Sequence, residues 1–147
     1  MIAVSNESGI PCDEQGLQRL AGFLLGQLGL HPDCDLAISL VDADRMTTLH
    51  VEWMGEPGPT DVLSFPMDEL RPDGAEQARG VLGDIVLCPA YLPEQALEAG
   101  RTLDEELQFL VVHGMLHLIG MDHQEPEAHA VMFARQDDLL TAWGAVA

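Results

Sequence analysis

The sequence predicts an α+β fold, on three observations. Four short runs of alternating or β-branched residues read as strands, set apart by helical patterns and one polar loop. From Leu107 onward one segment is apolar nearly all round, as a helix buried at the centre of a domain would be. The 147 residues are 47% hydrophobic, with no repeat and no low-complexity segment, which suits a single domain with a real core.

The elements follow in order. Residues 2–6 (IAVSN) form a short strand. Gln15 to Leu30 carries apolar residues at 17, 20, 21, 24, 25 and 28, the spacing of an amphipathic helix, with Gly29 near its end. HPDCD is a turn, and Leu36 to Val41 a second strand. Asp42 or Asp44 then caps a helix over about 44–54 that buries Met46, Leu49 and Trp53, with His50 beside them, and GEPGP (55–59) breaks it. DVLSFP (61–66) is the third strand, with Val62, Ser64 and Pro66 on one side and Leu63 and Phe65 on the other. A polar loop bearing Arg71 and Arg79 leads to the fourth, VLGDIVLCP (81–89), where Gly83 marks a bulge or a close backbone approach. Pro93 to Gly100 is a short helix. Thr102 and Glu105 form a capping box that opens the long apolar helix. Glu125 and Pro126 start the last helix, with Ala128, Met132, Leu139, Leu140 and Trp143 as its packed stripe.

Composition narrows the function. No apolar run approaches the ~20 residues that cross a bilayer. The start, MIAVSNESG, lacks the basic and apolar regions of a signal peptide. Cys12, Cys34 and Cys88 are scattered and odd in number, which suits reduced thiols in a cytoplasmic protein. The 25 acidic residues face six basic ones, all arginine, for a formal charge of −19. Such a field repels DNA and RNA at long range, because few cations remain to neutralise phosphates.

HGMLHLIGMDH, residues 113–123, holds three of the six histidines. His113 and His117 are four residues apart, so they lie about 40° apart on adjacent turns of one helix face. Gly120 lets the chain leave the helix, and His123 arrives as a third ligand. Three nitrogens with an open fourth position is the arrangement of a catalytic zinc site, although imidazoles also suit nickel, copper or iron. The string resembles the zinc-peptidase pattern H-E-x-x-H-x-x-G-x-x-H with Gly114 in place of the glutamate that serves as general base. The metal geometry survives that change and the peptidase base does not.

PTDVLSFP (59–66), LGDIV (82–86), HGMLHLIGMDH and EAHAVMF (127–133) together resemble the YbeY family of bacterial metal-dependent endoribonucleases. The resemblance implies a small α+β fold with a mixed four-stranded sheet and one zinc ion held by His113, His117 and His123. It also implies hydrolysis of single-stranded RNA near the 3′ end of small-subunit ribosomal RNA, and a role in ribosome quality control. The partners it implies are RNA and the ribosomal small subunit or one of its proteins, with neither DNA nor a membrane. In the family an arginine shortly precedes PTDVLSFP, in a run like LNxxYRG. Here the run is LHVEWMG, with Met54 at the arginine's position and His50 at the asparagine's. Arg45 is about 180° round the same helix from Met54; Arg71 or Arg79, from the polar loop, could reach the cleft, although surface arginines are usually just solvated.

The mechanism expected is metal-assisted hydrolysis of a phosphodiester. Asp61, Ser64, Asp84 and Asp122 are the catalytic candidates, because they sit in the family-like motifs. Each also has an ordinary role open to it: a strand-entry turn for Asp61, a strand hydroxyl for Ser64, a sheet-edge cap for Asp84, and a turn after Gly120 for Asp122. Glu106 is two turns from His113 along the axis, too far to touch the metal. Two other readings stay open. A zinc hydrolase of a small or peptide-like substrate requires room at Gly114 for a carboxylate from another segment. A non-catalytic ribosome-assembly factor, its acidic surface docked on basic ribosomal proteins, requires a closed four-ligand site.

Overall fold

The computed structural model describes residues 1–68 and 79–146, so Arg71 lies outside the described residues. The described elements are β1 (Ile2–Asn6), α1 (Glu14–Gln27), β2 (Asp35–Leu40), α2 (Ala43–Met54), β3 (Val62–Pro66), β4 (Val81–Leu87), a 3₁₀ turn (Pro89–Tyr91), α3 (Pro93–Glu98), α4 (Leu103–Leu118) and α5 (Pro126–Val146). This is the expected α+β fold with a mixed four-stranded sheet. The strands are ordered β1-β2-β4-β3, with β1, β2 and β4 parallel and β3 antiparallel on the edge. Parallel neighbours cannot be joined by a hairpin, so α1 carries the chain from β1 back to the start of β2.

The sheet's two faces are covered unequally, and that sets where function can sit. Leu36, Ile38, Leu40, Leu82, Ile85 and Leu87 pack against α1, α4 and α5 in the main core. Each fully buried leucine or isoleucine there contributes about 1.5–3 kcal/mol relative to exposure. The opposite face holds a smaller cluster, Val41, Leu63, Val86 and Cys88, under Met46 of α2. The rest of that face is a groove.

α4 is the buried central helix. Thr102 Oγ1 accepts from the Glu105 amide and the Glu105 carboxylate accepts from the Thr102 amide, the reciprocal cap the sequence predicts. Gly83 proves to be both a bulge and a close approach. The β2–β4 register slips between Asp35 and Leu36, and Gly83 has φ 149°. A Cβ there would collide with the Phe65 carbonyl oxygen and stand 2.9 Å from Leu118 Cδ2. β3 and α4 can close on β4 only over a glycine.

Three expectations are corrected. α1 ends at Gln27, not at Leu30, because Gly29 turns left-handed (φ 67°) and the Leu30 amide bonds back to the Leu25 carbonyl. β4 stops at Leu87, because Pro89 opens the 3₁₀ turn. Trp53 is not buried: it is 65% exposed at the end of α2, edge-on to the Phe65 ring at 5.7 Å between centroids.

Candidate metal centre

α4 sets two histidines on one face, and its end delivers the third. His113 and His117 are half-buried, with Nε2 atoms 3.0 Å apart. Gly120, at φ 96°, reverses the chain; its amide bonds to the His117 carbonyl and the Met121 amide to that of Leu116. His123 comes round on the turn, its ring centroid 5.5 Å from that of His113 and 5.4 Å from that of His117. One ligating atom from each of the three lies within 4.8 Å of the others.

The donor set can be tested against a metal by its protons. His113 Nδ1 is 3.1 Å from Gln136 Oε1, so Nδ1 carries the hydrogen and Nε2 is a bare lone pair. His117 turns its Nε2 to the same point, and a neutral ring with its hydrogen on Nδ1 leaves that nitrogen bare as well. Two lone pairs facing at 3.0 Å repel unless a proton or cation lies between them. Two nitrogens on a tetrahedral zinc are about 3.3 Å apart, close to what the chain presents. Burial, above all, holds the His113 and His117 imidazoles below their usual pKa; for His117 the neighbouring His113 and His123 add to it. Neutral imidazole is the form that ligates. The residues fit the ion.

Gln136 is fully buried on α5, between Met132 and Leu139 in the stripe that packs on the core. Its Nε2 has no hydrogen-bond partner among the described residues. Exchanging the amide's O and N would give that nitrogen a partner but would move the His113 hydrogen onto Nε2, where a metal must bind. Sequence reasoning missed this residue. A polar side chain at 136 in the 132–139 stripe was the signal available.

Gly114 answers the question its sequence position raised. A Cβ there would stand 3.1 Å from Ser64 Oγ and 3.2 Å from two Ile85 carbons. β3 occupies the space into which a peptidase glutamate would project. Ser64 Oγ donates to the Gly114 carbonyl at 3.4 Å. Asp61, just before β3, lines the same pocket of about 420 Å³ as the three histidines, together with Met54, Ser64 and Pro66. Among the described residues it is the one carboxylate in that lining. Both Asp61 oxygens are engaged: Oδ1 accepts from the Val62 amide at 2.8 Å and Oδ2 from Gln95 Nε2 at 3.3 Å. Gln95 also donates to buried Glu106, whose other oxygen accepts from Arg101 at 3.0 Å. Glu106 thus stays off the metal, as its spacing predicts, and anchors the group that steadies Asp61.

The other candidates are elsewhere. Asp84 is in the middle of β4 and faces the groove side, away from the histidines, so it is not a sheet-edge cap. Asp122 accepts from the Gln124 amide at 3.2 Å, the turn role open to it. Arg79 does not enter the pocket; it bonds His31 at 3.4 Å and pairs with Asp33 at 3.7 Å. Arg45 lies outside the pocket, as its angle from Met54 predicts, whereas Met54 lines it. His50 clips the turn ahead of β3, with Nδ1 2.9 Å from the Gly58 carbonyl and Nε2 3.1 Å from Glu56. Three histidines with one side of the pocket open make a site that can take a substrate atom, not a closed structural one.

Comparison with known proteins places this arrangement. The family model described as Endoribonuclease YbeY matches residues 4–144. The Endoribonuclease YbeY of Thermobifida fusca is 52% identical over 144 residues, covering 97% of this chain and 93% of its own. That of Leifsonia xyli subsp. xyli is 54% identical over 144 residues, with 97% and 94% covered. The solution structure of TM1509 from Thermotoga maritima superposes with a TM-score of 0.61 at 28% identity, covering 99% of this chain and 93% of that one.

Proposed function

The chain belongs to the YbeY endoribonuclease family, and on that premise we propose that it hydrolyses phosphodiester bonds of single-stranded ribosomal RNA at the His113–His117–His123 centre. The observation that carries this reading is an open three-histidine group sharing one pocket with a single fixed carboxylate. His113, His117 and His123 hold zinc, one ion for the chain. When bound, that ion supplies Lewis-acid polarisation of a phosphoryl oxygen and activates water. Asp61 is the base: its carboxylate, held by Val62 and Gln95, takes the proton of the attacking water. Ser64 lies against Gly114 and shapes the wall between Asp61 and the histidines.

The substrate is the 3′ region of small-subunit ribosomal RNA, met on the ribosome in the cytoplasm, and the whole chain acts as one catalytic domain. The acidic surface supports docking on basic ribosomal proteins, which reconciles a charge of −19 with an RNA substrate. No helix among the described residues is long and apolar enough to cross a membrane.

The test pairs metal analysis with cleavage. Wild type should carry close to one equivalent of zinc and cut a single-stranded RNA from that region, and His117→Ala should lose both. Zinc retained without cleavage above the variant's background would reject the nuclease reading.

A further inference from the structure

The groove on the lightly covered face of the sheet has no part in the mechanism above, yet it adjoins the metal pocket. It encloses about 850 Å³ between α2 and the sheet, and Met54, Ser64 and Pro66 line both cavities. A strand with one phosphate at the histidines therefore has its neighbouring nucleotides at the mouth of this groove.

The groove's chemistry is wrong for phosphate and right for bases. Among the described residues its charged lining is Glu7, Glu52 and Asp84 against Arg45. Asp84 is half-buried at mid-strand and makes no side-chain hydrogen bond or ion pair among the described residues. A carboxylate on a floor shared with Ser5, Ser39 and Val86 accepts from N–H groups, and the exocyclic amines and ring N–H of nucleobases are such donors. Trp53, 65% exposed and edge-on to Phe65, lines the same groove. Exposed aromatic faces of this kind are where single-stranded nucleic acids stack.

We propose that this groove is a nucleobase subsite: a base flanking the scissile phosphate stacks on Trp53 and donates hydrogen bonds to Asp84. The proposal rests on the nuclease reading for the strand it binds, and the subsite itself is additional to it. In this groove affinity then comes mainly from stacking rather than from counterion release.

Trp53 also provides the measurement. It and Trp143 are the chain's two tryptophans, so in Trp143→Phe it is the only reporter. A short single-stranded RNA should quench its fluorescence before turnover, and the same backbone without bases should not. Trp53→Ala should keep its zinc and lose roughly 5- to 150-fold in RNA affinity and in kcat/KM, with Trp53→Phe recovering most of it. Asp84→Asn should change the preference among bases at one position. Cleavage without quenching, with Trp53→Ala within about twofold of wild type, overturns the subsite and leaves the nuclease standing. Base-dependent quenching without cleavage supports the subsite and rejects the nuclease. Neither quenching nor cleavage rejects both.

Discussion

Gln136→Leu separates metal binding from folding more sharply than loss of a ligand would. Gln136 is fully buried, accepts from His113 Nδ1–H at 3.1 Å, and leaves its own Nε2 unpaired among the described residues. Leucine is of similar size, so the packing against Met132 and Leu139 should hold. Two terms of opposite sign then act on the metal-free protein. Deleting the unpaired amide recovers a desolvation cost of about 1–3 kcal/mol, and stranding the His113 hydrogen costs about as much. The net change in folding stability should be within ~1 kcal/mol. The metal feels only one of these terms. Without an acceptor on Nδ1 the ring can turn or change tautomer, and partners of this kind are worth 10–100-fold in affinity, about 1.4–2.7 kcal/mol. Competition against a chromophoric zinc chelator measures the affinity, and urea unfolding of the chelated protein measures the stability. Gln136→Glu, which keeps an acceptor, should hold zinc at least as well as wild type. Zinc affinity unchanged within about threefold in Gln136→Leu, or a Glu variant as weak as Leu, would refute the assignment of the His113 tautomer.

Asp61→Asn keeps an oxygen for the Val62 amide but removes the base, so kcat on RNA should fall about 10²–10⁴-fold with zinc content unchanged; loss of zinc instead would make Asp61 a ligand or a fold element. The metal-free chain should lose stability on acidification from the unfolded-state histidine pKa of about 6.5 downward. His113 and His117 have lowered pKa values in the fold, so the unfolded state takes up protons first, and stability present above that pH drains away below it. The urea midpoint of His117→Leu should depend less steeply on pH over that range, and an equally steep dependence would show that the cause lies elsewhere. Met54→Arg should raise RNA affinity and steepen the logarithmic salt dependence by about one unit. Position 54 is 51% exposed and lines the pocket, so an arginine there gains a phosphate at little cost to folding; a flat salt response would count against it.

What could be read in the sequence was whatever depends on spacing along one element. His113 and His117 share a face because of helical period, Glu106 misses the metal for the same reason, and the Thr102 cap is local chemistry. Gly83 could be flagged as a bulge or close approach because only backbone conformation or crowding explains glycine in a β-branched run. What could not be read depends on which face of the sheet is covered. Asp61 and Asp84 look alike in the sequence, but β3 and β4 carry one to the histidines and the other to the groove. Helical position puts Trp53 in the core, yet it stands 65% exposed at the end of α2, beside the groove. Gln136 needed α5 docked on α4 before its side chain had a meaning.

The charge follows the same division of labour. Arg79 is committed to His31 and Asp33, Arg101 to Glu106 and the Phe109 ring, and Arg135 to the Gln27 carbonyl. None of these lines the pocket that holds the histidines, and Met54 fills the place where an arginine fork would stand. A phosphate entering there meets no cationic side chain in the lining among the described residues, so an ion at the histidines would supply positive charge at that point. Zinc affinity and RNA affinity are then coupled. An RNA bound through the ion stabilises the ion in turn by the same factor, because linkage between two ligands is reciprocal. With an ion held by the three imidazoles and His113 fixed by Gln136, disturbing the His113 tautomer should weaken RNA binding as well as catalysis.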